Sequence, residues 1–254
     1  MGVEVLWFMP ITPIALKERK GTLGSYYASS DFYSTNPEYG TLEEFKALVE
    51  EAHQHGFKVI IDWVANHTGW DHTWTVSNPE YYKKNAAGHF FDSNGWDDVI
   101  DLDYTKSAMR SAMIKARRFW VEECNIDGFR CDMAMLVPLD FWVEARTILD
   151  HEKPLFWLAE CEEPHYHEAF DVTYTWEWMH KTSDFIKGHT DVNGLENQLW
   201  KYNHQFPGGA MRLYFTSNHD ENSWNGTEFE KYGPAHQALA VFSATWNGMP
   251  LIYS

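Results

Sequence analysis

The chain has 254 residues, and Asp and Glu outnumber Lys and Arg by 37 to 20, giving a formal net charge of −17 at pH 7. A surface of this sign repels phosphate groups, so nucleic acid and anionic membranes are excluded as favoured partners. No apolar run reaches the roughly 18 residues of a membrane span, and no signal peptide is visible at the N-terminus. The length suits one (β/α)₈ barrel, which needs about 250 residues.

The predicted elements alternate between strand and helix. Apolar runs typical of buried strands occur at 3–11, 57–67, 126–134, 154–161, 169–176, 211–220 and 250–254. The spacing of apolar residues predicts helices at about 42–55, 105–124, 141–149, 177–204 and 233–246. Near-continuous apolar strands covered by helices indicate a parallel sheet. Because no glycine-rich phosphate-binding motif follows a strand, a barrel is favoured over a nucleotide-binding sheet.

Two segments have distinctive local sequences. Thr41 is a predicted N-cap, Glu44 completes a capping box, and Gly56 stands where the residue after the C-cap is expected. Residues 68–103, by contrast, are rich in Trp, His and Asp and show no regular apolar spacing. We therefore predict a well-bounded first helix and, after the next strand, an irregular insert.

Acidic residues end several of the predicted strands. Asp132, Glu160 and Asp220 each follow an apolar run, and Arg130 precedes Asp132 by two residues on the same strand face. The carboxyl ends of barrel strands form one face, where catalytic groups cluster. A single strand-end Asp can instead cap the next helix, but three acids together with an arginine favour a shared site.

Two carboxyl groups in one pocket are suited to the cleavage of an acetal. One is kept protonated and donates to the leaving oxygen, while the other is ionised and attacks the anomeric carbon. Retention of configuration requires the two groups to lie about 5–5.5 Å apart. A neighbouring arginine favours the ionised form of the nucleophile, and a third carboxylate can stabilise the positive charge of the transition state.

Four short motifs occur in order at these strand ends. They are Asp62-Trp-Val-Ala-Asn66-His67, Gly128-Phe-Arg130-Cys-Asp132, Phe156-Trp-Leu-Ala-Glu160 and Phe215-Thr-Ser-Asn218-His219-Asp220. A further pattern, Tyr26-Tyr27-Ala-Ser-Ser-Asp31-Phe32, lies upstream. In these motifs the sequence resembles the α-amylase family, glycoside hydrolase family 13. The resemblance spans most of the chain and implies a barrel enzyme that hydrolyses or transfers α-glucosidic bonds of α-glucans and maltooligosaccharides.

The resemblance also implies a role for each matching residue. Asp132 is the expected nucleophile, Glu160 the general acid and then base, and Asp220 the group that stabilises the transition state. The expected substrate-binding residues are Tyr27, His67, Arg130 and His219, and the expected supporting residues are Asp62 and Asn218.

The family's calcium positions are incompletely matched. Many α-amylases carry Lys-His three and four residues after the nucleophile, where this chain has Met135 and Leu136. Asn66 and Asp101 match positions that can bind calcium in the family, but a hard cation requires more oxygen ligands than these two residues supply. We interpret Asn66 as a brace for its loop, with calcium as the alternative, and expect no other cofactor.

Matching the motifs to the family changes what the length means. The first motif belongs to the family's third strand, so residues 3–11 correspond to the second strand and 250–254 to the eighth. We therefore expect one incomplete barrel domain over 1–254, without the first strand and helix or the last helix. Residues 68–103 form its short insert, similar to domain B. Strand edges left unpaired predict low stability or activity of this chain alone.

Two other functions remain open. A non-catalytic relative would use the barrel as a carbohydrate-binding or partner scaffold, although such relatives tend to lose the acidic trio that is intact here. A metal-dependent hydrolase of the same barrel class is the second alternative.

Overall fold

Strands and helices alternate along the chain in the computed structural model, which describes residues 2–254. The chain consists of two compact units, and the boundary between them lies between Leu158 and Ala159. The first unit contains β1 (Val5–Phe8), α1 (Leu42–Gln54), β2 (Lys58–Trp63), β3 (His67–Gly69), α2 (Thr73–Ser77), β4 (Val99–Asp101), α3 (Ser107–Cys124), β5 (Gly128–Cys131), α4 (Leu139–Glu152) and β6 (Phe156–Ala159), whose last residue falls beyond the division.

Helix α1 begins and ends as its sequence predicts. The Thr41 hydroxyl accepts a hydrogen bond from the Glu44 backbone at 3.2 Å, and the Glu44 carboxylate accepts one from the Thr41 backbone at 2.7 Å. This capping box satisfies two backbone donors that the first turn leaves open. Gly56 has a φ of +83°, the left-handed conformation that glycine adopts readily after a helix. The predicted first helix is confirmed.

The strands of the first unit hold Asp62 and Arg130 side by side. Strands β1, β2 and β5 are parallel neighbours, and β6 lies next to β5. The register pairs Asp62 with Arg130, so their side chains leave the same face of the sheet. Gly128 begins β5, where a Cβ atom would lie only 2.0 Å from the carbonyl oxygen of Phe156. Close approach of backbones therefore explains the glycine of the second motif.

The insert is more regular than predicted. Strands β3 and β4 form an antiparallel pair in which His67 is aligned with Asp101 and Gly69 with Val99. Helix α2 lies between these two strands in the chain, and its buried Trp74 ring packs against Phe32. The prediction of a wholly irregular segment is wrong here because a three-residue pairing is too short to leave a period-2 pattern in the sequence.

The second unit, Ala159–Ser254, is built around a second set of parallel strands. Its elements are β7 (Val172–Tyr174), α5 (Trp176–Ile186), α6 (Val192–Gln205), β8 (Met211–Tyr214), α7 (His219–Trp224), α8 (Glu228–Tyr232), α9 (His236–Thr245) and β9 (Met249–Pro250). Strand β8 pairs with both β7 and β9. Helices α5 and α6 and strand β8 contribute to an aromatic core of Trp178, Tyr202, Phe206 and Tyr214. The predicted alternation of strand and helix is confirmed in both units.

One predicted strand is too long. The run 211–220 is extended only as far as Tyr214, and His219 and Asp220 lie in the first turn of α7. The cause is Asn218, whose side-chain oxygen accepts a hydrogen bond from the backbone of Glu221 at 2.8 Å and so caps the helix.

Across residues 2–254, no helix combines the length and the apolar character needed to cross a bilayer.

Candidate active site

A buried guanidinium joins two carboxylates at the ends of β2 and β5. Nη1 of Arg130 lies 3.0 and 3.2 Å from the two oxygens of Asp62 and 2.8 Å from Oδ1 of Asp132. The side chains of Arg130 and Asp62 are fully buried, and that of Asp132 is 10% exposed. Charge-assisted hydrogen bonds in such a site are strong, and the cation favours the ionised form of both acids.

Asp62 also receives hydrogen bonds from two aromatic residues. Nε1 of Trp7 donates to Oδ2 at 3.2 Å, and the Tyr27 hydroxyl donates to the same oxygen at 3.3 Å. The Trp7 ring lies 5.1 Å from the guanidinium of Arg130. The sequence interpretation missed Trp7. The register of β1 against β2 identifies Trp7 as a site residue. Trp7 is aligned with Ile60, and Ile60 lies two residues before Asp62, so the side chains of Trp7 and Asp62 are on the same face of the sheet.

The chain turns sharply directly after Asp132. The Asp132 backbone N–H donates to the carbonyl of Trp63 at 3.0 Å, which extends the ladder between β2 and β5 by one step. Met133 then adopts a left-handed conformation with a φ of +40°, and a 3₁₀ turn follows over Ala134–Leu136. A non-glycine residue in this region is strained, and such strain is common beside active-site groups. The turn fixes where the Asp132 carboxylate stands.

His67 is a buried, neutral imidazole. Burial lowers its pKa to about 4, although the carboxylates of Asp101, Asp92 and Asp98 act in the opposite direction. Its Nδ1 lies 3.2 Å from the side-chain nitrogen of Asn66. A neutral ring in this position can exchange hydrogen bonds with hydroxyl groups at neutral pH without carrying charge.

In the second unit, Glu160 follows β6 and is 5% exposed. His219 is also buried, and its Nε2 lies 3.4 Å from Oδ2 of Asp220, whose side chain is 43% exposed. The cap that Asn218 provides to α7 determines where both residues stand. This unit therefore holds one buried and one accessible carboxyl group among the predicted site residues.

Glu162 is a titratable group of the second unit that the sequence interpretation missed. It accepts hydrogen bonds from the Tyr202 hydroxyl and, at 2.8 Å, from the backbone of Glu177 near the start of α5. Burial raises the pKa of Glu162 to about 7. Glu162 lies two residues after Glu160, in the segment that follows β6. Its carboxyl group links this segment by hydrogen bonds to α5 and α6.

The structure groups the predicted residues within each unit. Tyr27, Asp62, Arg130 and Asp132 form one hydrogen-bonded group in the first unit, and Asn218, His219 and Asp220 are consecutive in the second. The convergence of all these strand ends on one pocket stays a prediction, as do the catalytic roles.

Asn66 and Asp101 do not fit a calcium site. Oδ2 of Asp101 accepts hydrogen bonds from the Lys83 ammonium at 2.9 Å, the Ser93 backbone at 3.2 Å and the Ser93 hydroxyl, and the Asn66 side chain is turned toward His67. An ammonium in contact with the carboxylate repels a divalent cation. Within residues 2–254, no cluster of three or more His, Cys, Asp and Glu could hold a metal ion.

Comparison with known proteins identifies similar sequences. The family model for the α-amylase catalytic domain matches residues 1–98 and 81–168. α-Amylase 3 of Dictyoglomus thermophilum is 27% identical over 218 residues, covering 74% of this chain and 39% of the relative. A cyclomaltodextrin glucanotransferase of Bacillus sp. (strain 1011) is 25% identical over 294 residues, covering 100% of this chain and 41% of the relative. The chain thus spans about two fifths of the length of these curated relatives.

Solved structures are similar over the whole chain. A Lactobacillus plantarum α-amylase is 35% identical with a TM-score of 0.92, covering 99% of this chain and 63% of its own. A noncanonic maltogenic α-amylase, AmyB from Thermotoga neapolitana, is 36% identical with a TM-score of 0.93, covering 100% of this chain and 59% of its own. The predicted fold class, part of an α-amylase-type (β/α)₈ barrel, is confirmed.

Proposed function

The chain belongs to the α-amylase family, and from this premise we propose that it carries the catalytic groups of a retaining glycosidase or transglycosylase. The substrate is an α-glucan or maltooligosaccharide, the class suggested by relatives named as amylases and as a cyclomaltodextrin glucanotransferase. The observation that carries the proposal is the buried Arg130 hydrogen-bonded to Asp132. It supplies an oriented, ionised carboxylate at the end of a barrel strand, where a nucleophile is needed.

In the first step, a carboxylate oxygen of Asp132 attacks the anomeric carbon of the substrate. The bond from that carbon to the glycosidic oxygen breaks, and Glu160 donates its proton to the departing oxygen. The product is a glucosyl ester on Asp132 with inverted configuration. Arg130 holds the attacking carboxylate in place, and Asp220 stabilises the positive charge that develops on the sugar ring.

In the second step, Glu160 acts as a carboxylate base. It accepts a proton from water or from a sugar hydroxyl, whose oxygen attacks the anomeric carbon and releases Asp132. Two inversions give net retention. Water as the acceptor gives hydrolysis, and a sugar acceptor gives transglycosylation.

The remaining site residues bind and position the sugar before the cleaved bond. Tyr27 offers a ring for stacking, and His67 and His219 hydrogen-bond sugar hydroxyls. Asp62 is a support, because its carboxylate is already hydrogen-bonded to Arg130, Trp7 and Tyr27. Asn218 supports the site by capping the helix that carries His219 and Asp220.

Azide rescue distinguishes the two principal roles. With an α-maltosyl fluoride substrate, Asp132→Ala is expected to be inactive alone and to form the β-glycosyl azide when azide is added. Glu160→Ala is expected to form the α-glycosyl azide, because azide then opens the ester on Asp132. Asp140→Asn, an exposed acid of α4, serves as the control and should match the parent protein.

The configuration of each azide product, read by NMR, decides the assignment. The same anomer from both variants, or no loss of turnover in Asp132→Ala, contradicts the proposed roles. A parent protein that binds maltooligosaccharides without turnover supports the scaffold alternative instead.

A further inference from the structure

We infer that Lys83 supplies, from within the chain, the positive charge that neutralises the buried Asp101 carboxylate, so that the insert is ordered without a bound divalent cation. The inference concerns stability and is independent of the catalytic roles proposed above. It begins from the contact between the Lys83 ammonium and Oδ2 of Asp101, which are 2.9 Å apart.

Asp101 is a carboxylate that requires a cation. Its side chain is fully buried, whereas that of Lys83 is 40% exposed. A buried carboxylate without a compensating charge is strongly unfavourable, while a lysine can keep part of its stem and head in water. The pair is also fixed by the backbone, because the Lys83 N–H donates to the Asp101 carbonyl at 3.0 Å.

The pair lies where several stretches of the insert meet. Asp101 is aligned with His67 in the β3–β4 pair, and its N–H donates to the carbonyl of Phe91 at 3.1 Å. The next residue, Leu102, donates to the carbonyl of Asn66 at 3.0 Å. Loss of the charge at Lys83 would therefore loosen the segment that holds His67.

The other acids around His67 also have partners inside the chain. Asp98 is paired with the ammonium of Lys20 at 3.1 Å. Asp92 accepts hydrogen bonds from the backbones of Asn94 and Trp96, each at 2.7 Å. Lys83 and Ser93 both contact Oδ2 of Asp101, whereas the buried Oδ1 has no hydrogen-bond partner among the described residues. A divalent cation at Oδ1 would share this carboxylate with the Lys83 ammonium and be repelled by it.

Thermal melting of the full chain tests the inference. The Tm of the parent protein is expected to be the same in excess CaCl₂ and in excess EDTA. Lys83→Met is expected to lower the Tm by about 5 °C, since it leaves a buried charge without its cation. Lys84→Met is the matched control, because the neighbouring Lys84 contacts the Phe90 ring and no acid in the described residues, and its Tm should barely change.

A double-mutant cycle shows whether the effect acts through Asp101. In an Asp101→Asn background, which has no charge to neutralise, Lys83→Met should lower the Tm much less than it does in the parent. A parent Tm that falls in EDTA, equal effects of the two lysine variants, or additive effects in the cycle would each overturn the inference. If Lys83→Met does not fold, the calcium and EDTA melts of the parent and of Asp101→Asn still decide.

Discussion

Nη1 of Arg130 lies 2.8 Å from Oδ1 of Asp132, two residues further along the chain. The same nitrogen is hydrogen-bonded to both oxygens of Asp62 on the neighbouring strand. One buried cation therefore stands between two buried anions. Its removal would leave those two carboxylates to repel one another, so Arg130 links the stability of the barrel strands to the position of the proposed nucleophile.

Arg130→Met should therefore impair both folding and catalysis. We expect kcat to fall by about 10²–10³-fold, the usual effect of losing a preorganised electrostatic contact. We also expect the free energy of unfolding to fall by about 3 kcal/mol, because a buried charge cluster loses its cation. Arg118→Met is the control. Its partially exposed pair with Glu152 should contribute less than about 1 kcal/mol. Steady-state kinetics and urea unfolding measure both effects, and similar results for the two variants would contradict the assignment.

His67 should make the protein less stable in acid. Its folded pKa of about 4 lies below the ordinary value of 6.5, so the unfolded chain binds the extra proton between these two values. Stability is then retained above about pH 6.5 and decreases as the pH falls toward 4, by up to about 3 kcal/mol.

Urea unfolding at pH 7 and pH 4.5 measures this difference. The free energy of unfolding at pH 7 minus that at pH 4.5 should be lower in His67→Gln than in the parent. It should be unchanged in His55→Gln, where the imidazole is mostly exposed. An unchanged pH dependence in His67→Gln would show that other groups account for the acid sensitivity.

Glu162 should have the opposite pH dependence. Its folded pKa of about 7 lies above the ordinary 4.5, so the folded protein holds a proton that the unfolded chain has lost. The contribution to stability is complete below about pH 4.5 and is lost as the pH rises through 7.

The comparison of Glu162→Gln with Glu163→Gln isolates this contribution. A neutral amide can still accept the hydrogen bond from the Glu177 backbone. Glu162→Gln should therefore increase the free energy of unfolding at pH 8 relative to that at pH 5, because the loss of stability that Glu162 contributes over this range is removed. Glu163 is the exposed neighbour, and its variant should keep the parent profile. A difference in the free energy of unfolding between pH 8 and pH 5 that is the same in Glu162→Gln as in the parent contradicts the elevated pKa.

Gly128→Ala should be strongly destabilising. A Cβ atom there would stand 2.0 Å from the Phe156 carbonyl oxygen, and neither backbone can move without disturbing the strands on which Arg130 and Glu160 depend. We expect a loss of about 3 kcal/mol, at the upper end for overpacking. Gly208→Ala meets no atom within 4 Å and is the control. Equal Tm values for the two variants would show that β5 and β6 are less closely packed than the structure has them.

Much of the architecture could be predicted because its causes are local. The capping box at Thr41 and Glu44, the apolar strands and the buried face of α3 all follow from neighbouring residues or from residues one helical turn apart. The limits of such signals are visible at β3 and β4, which are too short for a pattern. They are also visible at 211–220, where a strong apolar run concealed the helix cap at Asn218.

The candidate site divides in the same way. The motifs predicted that Asp132 and Glu160 follow strands, as they do, whereas Asp220 lies in α7 and not at a strand end. They also predicted that Arg130 accompanies Asp132, because side chains two residues apart in extended backbone leave the same face. The contacts of Trp7 with Asp62, Lys83 with Asp101 and Glu162 with Tyr202 join residues separated by 55, 18 and 40 positions. No local spacing encodes those contacts. Strand register and burial bring the partners together, and only the tertiary structure decided which charge neutralises which and which carboxyl keeps its proton.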